Sequence, residues 1–292
     1  YTLVSTEQGI GDIYVDGVTR KTGVSYGSDI ECNYYTVTYK IPEDSSAKGE
    51  VPVDDAMYYS GTAVTVQGQA GVVNGGLTFA GWAVEGEESS TTYAEGNSYT
   101  ITKTSTLVPV WKKTDISGFE IELETVDYTY NGESQKPDVT VIDKVRDKIL
   151  EEGRDYTLSY SNTNTTGGRE DNTINAGDIT ITVTGNGDYT GSISGDKTKY
   201  TIGKKTISVD NLKAVDKEYD GSTKIQIKAD EAVLSGVVTG DAVRLLASSE
   251  GQVYSPNARA NKYVIINGEA QLEGQNSSNY DLEPLADITV TI

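Results

Sequence analysis

No histidine occurs in the sequence, and its one cysteine is Cys32; these two facts settle most of the chemistry open to it. A Ser-His-Asp or Cys-His nucleophile system needs an imidazole to take the proton, and none is present. One thiol without histidine cannot build a structural zinc site, nor form a disulfide within the chain. The 44 aspartates and glutamates always supply carboxylate pairs at some spacing, but no pair stands out as the acid and base of a glycosidase. The glycine runs at 167–168 and 185–191 lack the lysine and the strand-to-helix setting of a phosphate loop, and read as turns. Asp12, Asp16, Asp54, Asp55 and Asp188 sit in or near turns. They are the residues a calcium ion would use, although no EF-hand spacing is present and Asp is also an ordinary turn residue. We therefore assign no catalytic, cofactor-binding or metal-binding residues, expect no enzyme activity, and leave any ligand-binding residues unassigned.

Binding is the remaining possibility. Twenty tyrosines against 2 Phe and 2 Trp is a composition suited to recognition surfaces, and equally to sheets with one wet face. Pairs such as Tyr34-Tyr35 and Tyr58-Tyr59 place one ring outward if they lie on strands. Trp82 and Trp111 end apolar strand runs and are expected in a core.

The formal net charge is −20 with a pI near 4.3, and each of the four segments divided at Tyr34, Thr114 and Thr206 carries more acids than bases. Such a surface repels phosphate backbones and anionic leaflets, so nucleic acid is excluded as a partner. No apolar run approaches the length of a transmembrane helix, which gives no membrane insertion, and no signal peptide opens the chain. The chain reads as a mature or excised fragment, and a monomer.

The elements that must carry these residues are strands. Alternation at period two recurs at 35–39, 156–160 and 179–183, separated by turns at Asn74-Gly75-Gly76, Asn131-Gly132, Asp220-Gly221 and Asn267-Gly268. Residues 143–152 fit a helix with Val145, Ile149 and Leu150 on one face, or a hairpin; the flanking strands favour the hairpin. A short helix near 54–59 is also possible. Tyr14-Val15-Asp16-Gly17-Val18 reads as a hairpin within residues 1–33. Tyr130-Asn131-Gly132 recurs as Tyr219-Asp220-Gly221, Tyr189 as Tyr280, and Tyr200-Thr201-Ile202 as Val290-Thr291-Ile292, all about 90 residues apart.

Residues 34–113 resemble the Listeria-Bacteroides repeat family. The resemblance rests on Tyr35-Thr36-Val37-Thr38-Tyr39, Tyr59-Ser60-Gly61, Phe79-Ala80-Gly81-Trp82, Tyr93-Ala94-Glu95-Gly96 and Leu107-Val108-Pro109-Val110-Trp111; it departs from the family at 41–49. Residues 206–292 resemble bacterial YDG domains through Lys217-Glu218-Tyr219-Asp220-Gly221, Val238-Thr239-Gly240-Asp241 and Asn279-Tyr280-Asp281-Leu282. Residues 114–205 are similar to a relative of those domains. The resemblances imply modules of exported, repetitive surface proteins.

The expected architecture is all-β and elongated, with tandem small domains: an N-terminal hairpin of uncertain attachment (1–33), a β-grasp-like or meander module (34–113), and two Ig-like β-sandwiches (114–205 and 206–292). The expected function is a non-enzymatic stalk or adhesion scaffold at a bacterial cell surface. Its partner would be an extracellular protein or glycan. The alternative is a carbohydrate-binding accessory region of a larger exported enzyme, which would show exposed aromatics in one groove.

Overall fold

A computed structural model describes residues 34–292 in full and, before them, the backbone of three strands, Thr2–Ser5, Ile10–Val15 and Val18–Ser25. Those three pair antiparallel in one sheet, with Val15 opposite Val18 as the 14–18 hairpin reading requires. Cys32 and the side chains of Asp12 and Asp16 lie outside the described residues. The protein is all-β: short strands in several small sheets, and no α-helix among the described residues. The chain divides into two compact units, residues 1–112 and 113–292, so both repeats lie in the second.

In the first unit the strand Ser105–Lys112 is central, pairing parallel with Val37–Tyr39 and antiparallel with Thr78–Val84. Val37, Tyr39, Val64, Val66, Val72, Tyr99, Ile101 and Leu107 close a core around the fully buried Trp82. Its indole N–H donates to the carbonyls of Gln67 (3.1 Å) and Gly68 (3.3 Å), so burial leaves no donor unmet. Trp111 is only half-buried, at the margin of this core, and reaches Trp82 through Phe79. The paired strands Tyr34–Tyr35 and Tyr58–Tyr59 sort their rings as alternation demands. Tyr35 and Tyr58 pack on the core, and the rings of Tyr34 and Tyr59 meet on the other side, tilted by 40° with centroids 4.8 Å apart. No helix forms near 54–59. Instead Asp54 folds the chain back as an Asx turn, accepting from the Ala56 N–H and the Tyr58 hydroxyl.

The second unit repeats a topology. Thr114–Asp115 pairs parallel with Tyr189–Thr190, Thr114 opposite Tyr189; Lys205–Asp210 pairs parallel with Tyr280–Leu282, Lys205 opposite Tyr280. Both members of the first pair shift by 91 to give the second (205 − 114 and 280 − 189). Gly177–Gly185 shows why these residues make strands: Ile179, Ile181 and Val183 point into the core, and the threonines between them point away. Residues 143–149 form the hairpin, Val139–Asp143 pairing with Lys148–Ile149. The fully buried Asp143 carboxylate holds its turn, accepting from the N–H groups of Val145 and Arg146 and from the Arg146 guanidinium.

The two repeats do not have separate interiors. One apolar cluster runs from Ile116, Val141, Ile179, Ile181 and Tyr200 of the first into Ile207 and Tyr280 of the second, with Leu234, Val238 and Leu272 packed on it. A smaller core of Ile225, Val253 and Val290 closes the far part of the second repeat.

Candidate binding surface

Every buried carboxylate in the second unit is committed to holding backbone or a neighbouring strand. Asp155 is gripped at both oxygens by the Arg154 fork (3.0 and 2.9 Å), with Lys148 at 3.2 Å and the Glu151 N–H at 3.1 Å. The Arg154 bonds are the main reason its carboxyl is held down to about 2. A carboxylate whose folded value lies below its ordinary one stabilises the fold above the ordinary value, and that contribution is lost as pH falls through the folded value. Asp155 therefore supports the fold above about pH 4 and stops doing so by about pH 2. In Asp155→Asn, stability measured by urea unfolding will fall less steeply across that window than in the parent chain; an unchanged slope would show that Asp155 does not contribute.

Asp241 follows Gly240 in the second repeat. Its side chain is 0% exposed, and no cation of its own repeat reaches it. Arg169 of the first repeat donates to Oδ1 at 2.5 Å, and Oδ2 accepts from the hydroxyls of Tyr130 (2.7 Å) and Tyr280 (2.5 Å). Burial, and then the bond to this carboxylate, raises both phenols above their ordinary pKa. The Tyr130 and Tyr280 rings meet edge to face at 5.4 Å. Beside them runs an asparagine seam. Asn276 and Asn279 both donate to the Gly167 carbonyl at 2.9 Å, and Asn279 accepts from the Ala176 N–H at 3.0 Å. Gly168, at φ +78°, lies so close that an added Cβ would meet Asn276 at 2.7 Å.

The repeated Tyr-Asx-Gly turn is used differently in its two copies. Asn131 and Asp220 each accept from the N–H two residues on, and the following glycines sit at φ +82° and +77°. Gly132 faces Val238 so closely that a Cβ would approach it to 2.7 Å, whereas nothing lies near Gly221. Tyr130 is buried in the seam; Tyr219 is 63% exposed.

Exposed recognition chemistry collects at the far part of the second repeat. Tyr254 (98% exposed) and Tyr263 (70%) flank a cleft of about 440 Å³ lined also by Asn257, Arg259, Asn261 and Lys262. Nothing in the sequence singled out this cleft; the signal available was residues 251–268, which contain two cations and no acid in an otherwise acidic chain. Among the described residues no three His, Cys, Asp or Glu side chains gather to hold a metal, and Asp54 is engaged in its own turn. No helix among the described residues is long and apolar enough to cross a membrane.

The second unit is thus a tandem β-repeat with a shared core and a polar seam. Residues 203–289, which span most of the second repeat, match the family model of the YDG domain. No curated protein and no solved structure matches the chain.

Proposed function

We propose that the chain is a non-enzymatic segment of an exported bacterial surface protein, serving as a stalk or adhesion scaffold. In this reading a Listeria-Bacteroides repeat-like module at 34–113 precedes two Ig-like modules, the second being the YDG domain. The observation that carries the reading is the Asp241 seam. A carboxylate that is 0% exposed in one repeat is satisfied by a guanidinium and a phenol of the other, which turns two repeats into a single load-transmitting body. A scaffold needs such a joint, and the buried carboxylates Asp143, Asp155 and Asp241 are all engaged in holding structure. The acidic composition and the lone cysteine suit an exported protein whose fold stands on packed cores.

Protease treatment of intact cells of the source bacterium tests the location. Release of peptides from residues 34–292 without lysis is the expected result. Peptides that appear only after lysis would overturn it.

A further inference from the structure

We propose that the cleft between Tyr254 and Tyr263 is a saccharide site selective for sugars that bear a carboxylate, with Arg259 taking the carboxylate and the tyrosines taking the sugar face. The proposal goes beyond the scaffold reading and rests on separate observations.

The first is charge. Arg146, Arg154, Arg169 and Arg244 each pair with a carboxylate, while Arg259, also described, has no ion pair among the described residues. It stands exposed in the acid-free stretch 251–268, with Lys262 as the second cation of the same cleft. In a protein of net charge −20, a cationic concavity is a local inversion that draws anions to one place.

The second is the donor set. The protein already shows what an arginine beside tyrosine phenols does, for Arg169, Tyr130 and Tyr280 together hold the Asp241 carboxylate. Guanidinium supplies a fork that matches a carboxylate, and a phenol supplies a neutral donor.

The third is rigidity. The Arg259 backbone exchanges hydrogen bonds with Ile292 (2.8 and 3.1 Å), and Lys262–Tyr263 pairs with Thr289–Val290. The Lys262 ammonium ties down the Ser255 and Asn257 carbonyls. A loop held this way gives up little entropy when it binds.

The fourth is shape and lining. A concavity of about 440 Å³ suits a ligand of one or two sugar rings. Its lining offers two exposed aromatic faces and the amides of Asn257 and Asn261.

The test is calorimetric titration of the full chain with sialyllactose and with trigalacturonate, which separate the sialate and uronate sources of the carboxylate, against neutral lactose and a poly-glutamate peptide. Binding of at least one acidic sugar in the millimolar range or tighter, with lactose at least about tenfold weaker, is expected. Arg259→Ala should weaken binding about tenfold or more, Arg259→Lys less, and Tyr254→Ala about three- to tenfold, while Tyr219→Ala leaves it unchanged. All three residues are exposed, and unchanged melting temperatures will show that the four variants fold. Equal affinity for lactose, insensitivity to Arg259→Ala, binding of poly-glutamate alone, or no binding of either acidic sugar would each overturn the proposal.

Discussion

Asp241→Ala will destabilise residues 113–292 by about 3 kcal/mol, because it removes the one acceptor on which three donors converge. The Tyr130 hydroxyl loses its acceptor inside the seam. Tyr280 keeps only the Val238 N–H, which donates to its oxygen and cannot replace an acceptor. Arg169 retains some solvent contact at 33% side-chain exposure, which places the estimate at the low end of the range for breaking a buried pair. Asp241→Asn, which keeps the shape and one acceptor oxygen, should cost about half as much. Urea unfolding monitored by the tyrosines of this unit provides the measurement. A cost below about 1 kcal/mol for the alanine variant would mean that the seam fits together without holding the repeats.

The second large effect lies in the first unit. Trp82→Ala should cost about 3 to 5 kcal/mol, the range for deleting a fully buried large side chain. The indole packs edge to face on Tyr39 (4.8 Å) and Phe79 (5.3 Å), so its loss opens a cavity in the middle of the aromatic cluster. It also strips the Gln67 and Gly68 carbonyls of their donor. That is a large share of the roughly 5 to 15 kcal/mol on which a domain stands, so the first unit should melt early while the second does not. Trp111→Ala, at a half-buried position, should cost clearly less. Equal effects of the two substitutions on the urea midpoint would contradict the burial described here.

What could be read from the sequence was local. Alternation of Ile and Thr at 179–183 and the Asn-Gly and Asp-Gly turns depend only on neighbours along the chain, so the strands and the 90-residue repeat were legible, and the opening pairs 114–189 and 205–280 keep one register. Residues 143–149 were ambiguous because Val145, Ile149 and Leu150 fit a helical face. The Asp143 turn decides the matter, and side-chain capping of that kind leaves little trace in periodicity.

The seam was not legible. Arg169 and Asp241 are 72 residues apart, and an aspartate after glycine reads as ordinary turn chemistry. The clues were Gly167-Gly168 beside Asn164, Asn172 and Asn175, a loop richer in amides than a plain turn requires, and Asn276 and Asn279 before Tyr280. Tyr130 and Tyr219 make the same point: one motif in two copies, buried where another repeat covers it and exposed where none of the described residues does.

The two repeats of residues 113–292 are expected to open as one cooperative body joined through Asp241 and Asn279. Native-state hydrogen exchange of the full chain across a urea series tests it most directly, comparing amides of Ile179–Val183 in the first repeat with those of Tyr280–Leu282 in the second. Loss of protection at the same urea concentration and with the same dependence on it is the predicted result. Release of Tyr280–Leu282 well before Ile179–Val183 would show two repeats that open independently, and would contradict the account.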